Sequence, residues 1–149
     1  AIRRQRQMCI RDRLISIYMQ VLISYNIGRE ICMYPIHFYK DRNGHEPVRE
    51  YIETLSINSS KDSRIKLHKI QDYLTMLKNR GTMIGEPFIK HLEGEIWELR
   101  PLRDRILFAA WLDDSFILLH HFVKKTQKTP RRELMKAQKA LDDIRKRGL

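Results

Sequence analysis

Between Glu95 and Glu133 the chain reads EIWELRPLRDRILFAAWLDDSFILLHHFVKKTQKTPRRE, with cations recurring where a plain β-meander would carry Thr, Ser or Glu. Arg100, Arg103, Arg105, Lys124, Lys125 and Lys128 are spaced to converge on one side of a small sheet. A concave basic surface suits a polyanion, because guanidinium and ammonium groups answer phosphate oxygens. The same groups suit phosphodiester cleavage without a metal. In that chemistry the 2′-hydroxyl of RNA attacks the adjacent phosphate. A base takes its proton, cations stabilise the phosphorane, and an acid protonates the leaving 5′-oxygen. A histidine, or a lysine depressed by basic neighbours, has a pKa suited to the base.

His120 and His121 stand beside these cations. In an ideal strand His120, Phe122 and Lys124 share one face, and His121 shares the other with Lys125. Only one histidine then joins the basic cluster unless the strand bulges, and His120 is the favoured one. Each residue also has a purely structural reading. Arg100 and Arg105 pair across strands with Glu98 and Asp104 at the surface. His120 or His121 is a hydrogen-bonded sheet histidine, a reading as strong as the catalytic one. Residues 124–128 form a solvated turn. Trp97 and Trp111 lie within apolar-rich strands and read as core rather than as stacking platforms.

The elements that must position these residues follow from periodicity. Tyr34 to Lys40 alternates and ends at the turn Asp41-Arg42-Asn43-Gly44, which predicts a first strand. Pro47 opens a helix with Val48, Tyr51, Ile52 and Leu55 on one face. Asn58-Ser59-Ser60 breaks it. A longer helix runs from Lys61 to Arg80, capped by Ser59 or Ser60 and ended by Gly81. Its apolar face holds Leu67, Ile70, Leu74 and Leu77, with Ile65 and Tyr73 beside them. His68 on this helix reads as a solvated or partly buried side chain. Thr82 to Gly94 is a loop in which Lys90-His91-Leu92 makes a short turn or edge strand. Strands follow at Ile96–Pro101, Arg105–Leu112 and Phe116–Lys124, with Asp113-Asp114-Ser115 as a tight hairpin turn. Thr129 as cap and Pro130 at the first position open a final helix to Arg147. The order predicts an α+β fold with an antiparallel-rich sheet, two N-terminal helices on one face and a C-terminal helix.

The chain has 149 residues, a formal net charge of +11 and 42% apolar residues, which fits one basic domain with a packed core. Residues 1–32 read differently from the rest. Leu14 to Ile23 is apolar but too short to span a bilayer. Arginines followed by this run mimic a signal peptide, but no small-residue cleavage site follows. Arg3 to Asp12 resembles the translation of a transposon-end sequencing adapter. Gly28-Arg29-Glu30 is compatible with a purine-rich ribosome-binding site two codons before Met33. Residues 1–32 are therefore expected to be non-native upstream sequence, with Met33 as the native start and residues 33–149 as the functional domain.

Residues 33–149 hold 23 Lys and Arg against 16 Asp and Glu, a net +7. Both cysteines, Cys9 and Cys32, fall outside them, which excludes disulfides, thiolate catalysis and Cys-ligated zinc there and fits a cytoplasmic protein. His37, His45, His68, His91, His120 and His121 lack HExxH or similar ligand spacing. There is no Walker loop, GxGxxG or GxSxG motif. No metal, cofactor or membrane association is expected.

WELRP, DRILFAAW, ILLHHFVKKTQKTP and the helix beginning RRELMKAQKALDD resemble the RelE/HigB superfamily of bacterial toxins, and within it the phage-derived, HigB-like subgroup. The resemblance covers Met33 to Leu149, and its most specific parts are WELRP and LLHHFVKKTQKTP. It implies a compact α+β toxin of a type II toxin–antitoxin system, acting as a ribosome-dependent, metal-independent mRNA endoribonuclease. The implied partners are a helix-turn-helix antitoxin, the ribosome and mRNA. Arg100 closes the ELR strand and corresponds to the superfamily's basic residue there. Arg105 corresponds to the Arg that begins the next strand. Lys124 and Lys125 correspond to basic residues ending the third, and His120 lies in the LLH-x-F-x-KK pattern. Arg100, Arg105, His120, Lys124 and Lys125 are the expected catalytic set, and Arg103, Lys128, Arg131 and Arg132 the expected RNA-binding set. The chain departs from the superfamily in having no tyrosine beyond Tyr73 and in carrying Phe108 where tyrosine is frequent. The alternative reading is a non-catalytic RNA- or DNA-binding module of phage origin, with the basic face binding rather than cleaving. A third is an interaction protein whose basic groove receives an acidic partner.

Overall fold

The computed structural model describes residues 33–148, so the expectations for residues 1–32 lie outside the described residues. Strand β1 (Ile36–Phe38) leads to helix α1 (Pro47–Ile57) and helix α2 (Lys61–Arg80). A single 3₁₀ turn (Gly81–Ile84) precedes strands β2 (Ile89–Glu93), β3 (Ile96–Leu99), β4 (Asp104–Trp111) and β5 (Ser115–Val123), and helix α3 (Arg131–Arg147) follows. This is an α+β fold with a mixed five-stranded sheet of order β1-β5-β4-β3-β2. β1 pairs with β5 in parallel, and the other neighbours are antiparallel.

Local chemistry accounts for the boundaries. Pro47 occupies the first turn of α1, where a missing N–H costs nothing. Ser60 caps α2, its hydroxyl accepting from Ser63 N. Gly81 ends that helix at φ 58°, and a Cβ there would meet the Tyr34 ring at 3.0 Å. Both positive φ and close approach demand glycine. Asp113 and Asp114 adopt φ 55° and 52°, the paired left-handed conformation that joins β4 to β5 tightly. Ile65, expected beside the apolar stripe of α2, is exposed. Of the two expectations for Lys90-His91-Leu92, the edge strand holds: residues 89–93 pair with β3 at the sheet's edge, although Lys90, His91 and Glu93 face solvent.

Two apolar clusters use alternate residues of the strands. One joins Val48 and Leu55 of α1 and Ile70 and Leu77 of α2 to Leu99, Ile106, Phe108 and Leu118. The other joins Ala137, Ala140, Leu141 and Ile144 of α3 to Ile96, Leu107, Ile117 and Leu119. Alternation places the clusters on opposite faces of the sheet. A bulge lies between them in register: Leu107 pairs with His120 and Phe108 with Leu118, leaving Leu119 without a partner. The extra residue puts Leu119 and His120 on the α3 face, and His121 on the other beside Ile106. Among the described residues no helix is long and apolar enough to cross a membrane.

Candidate functional site

Glu98 is the hub of the α3 face at its basic end. It points inward from β3 and is 3% exposed. Oε2 lies 3.6 Å from Arg100 Nε, and Oε1 lies 3.8 Å from Arg105 Nε. Oε1 also accepts from the Thr129 hydroxyl at 2.6 Å. One buried carboxylate thus ties β3, β4 and the loop before α3 together. Arg105 is itself buried, and it donates from one terminal nitrogen to the carbonyls of Leu102 (2.9 Å) and Asp104 (2.6 Å). Burial lowers its pKa, and the Arg100 charge adds to this, while Glu98 opposes both.

His120 sits farther along β5 on the same face. Its Nε2 lies 2.5 Å from Glu133 Oε2 on the first turn of α3. Both side chains are largely buried, at 17% and 7% exposed. Burial lowers the His120 pKa, and Lys136 and His121 act in the same direction against Glu133. Burial pushes Glu133 upward, yet hydrogen bonds from His120, Arg132 and Lys136 outweigh it and bring the carboxyl to about 2. The pair is therefore a neutral imidazole against a carboxylate at neutral pH. The Nε2 proton is then fixed by Glu133, and Nδ1 carries the free lone pair.

Around this pair the cations are exposed. Arg103, Lys125, Lys128, Arg131 and Arg132 face solvent, Lys124 is half-buried, and the Arg100 side chain is 25% exposed. Lys124 N donates to Arg103 O at 2.8 Å, which joins the β3–β4 turn to the basic loop. Leu102 in that turn has φ 54°. Among the described residues no group of three or more His, Cys, Asp or Glu side chains is positioned to hold a metal ion.

A second polar cluster lies on the opposite face. Asp104 is fully buried, and its Oδ1 accepts from Tyr51 OH at 2.7 Å and lies 3.1 Å from His121 Nε2. The Tyr51 and His121 rings stack 3.5 Å apart. Burial and Asp104 raise the Tyr51 pKa. Burial pushes Asp104 up, but the hydrogen bonds from His121 and Tyr51 hold it below the usual carboxylate range. This cluster fastens α1 to the end of the β4–β5 hairpin.

The sequence-derived residues thus divide by depth. Arg100, Arg103, Lys124, Lys125, Lys128, Arg131 and Arg132 surround one end of the sheet, with His120 on the same face as Arg100. Arg105 is corrected from a surface group to a buried one, because Glu98 and two carbonyls occupy its guanidinium. Glu98 and Asp104 are not surface partners either, since helices cover both faces of the sheet. Thr129 does not cap α3: the N-cap is Pro130, without a side-chain bond, and the hydroxyl serves Glu98 instead. Glu98, Glu133 and Lys136 were missed. A glutamate inside an otherwise apolar WEL strand was the available signal for Glu98. Glu133 was hidden by the ordinary preference for acids in a first helical turn.

A family model described as "Phage derived protein Gp49-like (DUF891)" matches residues 58–142, more than half of the chain. The match runs from the end of α1 through all of β2–β5 into α3. Comparison with curated proteins finds no match.

Proposed function

The chain belongs to the phage-derived Gp49-like family, and from that membership and the site's geometry we propose that it is the toxin of a type II toxin–antitoxin system, a ribosome-dependent, metal-independent mRNA endoribonuclease. The observation that carries the reading is a histidine held at 2.5 Å by a buried carboxylate on the same sheet face as a set of exposed cations.

In this reading His120 Nδ1 accepts the proton of the 2′-hydroxyl as its oxygen bonds to phosphorus, the P–O5′ bond breaks, and the leaving 5′-oxygen takes a proton from water. Glu133 keeps the imidazole in the required tautomer and stabilises the imidazolium that forms, as a carboxylate does for a general-base histidine elsewhere. Arg100 supplies charge to the phosphorane from the rim of the site. Arg105 acts from beneath as a positioning residue: it holds Glu98, which in turn orients Arg100 and the Thr129 end of the basic loop. Lys124, Lys125, Lys128, Arg131 and Arg132 bind neighbouring phosphates, aided by the free N–H groups that open α3. A tyrosine from the C-terminal element is not needed in this scheme. The antitoxin, a helix-turn-helix protein, inhibits by covering the basic face.

The test is induced expression with mapping of mRNA 5′ ends. Cuts are expected inside translated codons, leaving a 2′,3′-cyclic or 3′-phosphate, and both Arg100→Ala and His120→Ala should lose growth arrest while remaining folded. Undiminished arrest by folded Arg100→Ala, or products ending in a 3′-hydroxyl, would overturn the mechanism. RNA binding without any cleavage would leave only a basic binding module.

A further inference from the structure

A groove of about 390 Å³ opens beside His120. Its floor is apolar, formed by Tyr39, Pro47 and Leu119, and Lys136 and Lys139 stand at its rim. Tyr39 is fixed in place: its hydroxyl donates to Asp143 Oδ2 at 3.1 Å, and Arg147 lies 5.9 Å from the ring centroid. Asp143 also lines the groove, but Arg42 and Arg147 each approach it to 2.9 Å, so its charge is already answered. Of the two rim lysines, Lys136 is shared with Glu133 at 3.3 Å, and Lys139 is the other cation at the rim.

We propose that this groove is the base-binding subsite for an RNA nucleotide next to the scissile phosphate, with the base against Tyr39, Pro47 and Leu119 and the phosphate on Lys136 and Lys139. The inference rests on the cleavage reading above and locates the part of the substrate that sets sequence preference. Three features favour a nucleotide over an acidic protein segment. The volume falls at the lower end of small-ligand sites, roughly 300–1,000 Å³. An aromatic and apolar floor under a cationic rim is the arrangement that takes a stacked base and its phosphate, whereas a carboxylate side chain would leave the floor unused. The groove is also continuous with His120, so a nucleotide seated there brings its ribose toward the proposed base.

The experiment is an NMR titration of the full chain with the four nucleoside 5′-monophosphates, a short oligoribonucleotide, inorganic phosphate and an oligoglutamate. Amide shifts at Leu119, Lys136 and Ala140 are expected with nucleotides and with the oligoribonucleotide, and weaker ones with phosphate alone. Tyr39→Ala should weaken nucleotide binding about tenfold or more and leave phosphate binding in place. Lys139→Ala, at an exposed position that cannot unfold the protein, should weaken both. Shifts confined to residues 124–132, equal binding of oligoglutamate, or mononucleotide binding without oligoribonucleotide binding would each overturn the subsite. The two readings fail separately. Cleavage with unaltered codon preference in Tyr39→Ala rejects the subsite alone, and nucleotide binding in the groove of a chain that never cuts mRNA rejects the nuclease alone.

Discussion

Replacing Glu133 by glutamine keeps the side-chain volume and removes one buried charge. In the native protein that carboxyl is lowered from 4.5 to about 2 by His120, Arg132 and Lys136 acting against burial. At about 1.4 kcal/mol per pKa unit, this corresponds to on the order of 3 kcal/mol of stability at neutral pH. The carboxyl is 7% exposed, but Arg132 and Lys136, which help hold it down, are 81% and 52% exposed, so solvent screening trims this to about 2–3 kcal/mol. The sign follows from proton uptake. A depressed carboxyl contributes fully above 4.5, and its contribution disappears as pH falls toward 2, because the unfolded chain takes the proton first. His120, lowered by burial, weakens the protein further in acid, since its unfolded form is protonated below about 6.5. Urea unfolding of wild type and Glu133→Gln at pH 7, 5, 4 and 3 should show a gap of about 2–3 kcal/mol at pH 7, equivalent to roughly 10 °C in Tm. The gap should narrow steadily below pH 4.5. A gap independent of pH, or none at pH 7, would refute the ion-pair account of this site.

Arg105→Met should destabilise by about 3–5 kcal/mol, because Glu98 is left buried with only Arg100 and the Thr129 hydroxyl and two carbonyls lose their donor; a loss under about 1 kcal/mol in urea unfolding would restore Arg105 to a surface role. Tyr51→Phe keeps the ring stack on His121 but deletes the donor to Asp104, and should cost about 1–3 kcal/mol in thermal unfolding. For Arg131→Ala, affinity for RNA should drop for all sequences alike, and the slope of log affinity against log salt should shrink by about one; a sequence-selective loss would indicate base contact instead.

The parts of the fold read correctly in the sequence are those with local, periodic causes. The bounds of α2 follow from a serine cap, a glycine stop and a helical apolar stripe. The β4–β5 hairpin follows from Asp113-Asp114-Ser115 between alternating runs. The opposite orientation of His120 and His121 follows from strand geometry. What escaped was set by distant neighbours. Edge strand β2 was legible only as a turn or an edge strand, because solvent-facing Lys90, His91 and Glu93 leave it without an apolar alternation. Glu98 and Asp104 looked exposed because polar strand residues usually are, and only packing of helices on both faces buries them. Thr129 resembled a cap because its true partner lies 31 positions away in sequence.

The parallel pairing of β1 with β5 has a consequence for the order of events during synthesis. Ile36 pairs with Phe116, and Tyr39 N reaches Leu118 O at 2.9 Å, so the first strand's partner is made last among the strands. Helices α1 and α2 close through local contacts, but a pairing across so long a stretch of chain is slow to nucleate. Until β5 has left the ribosome, β1 has no ladder to join and the part of the groove floor that carries Tyr39 is unanchored. A nascent chain therefore acquires its complete sheet face only after β5 has emerged, which delays assembly of the site while the chain is still tethered to the machine that makes it.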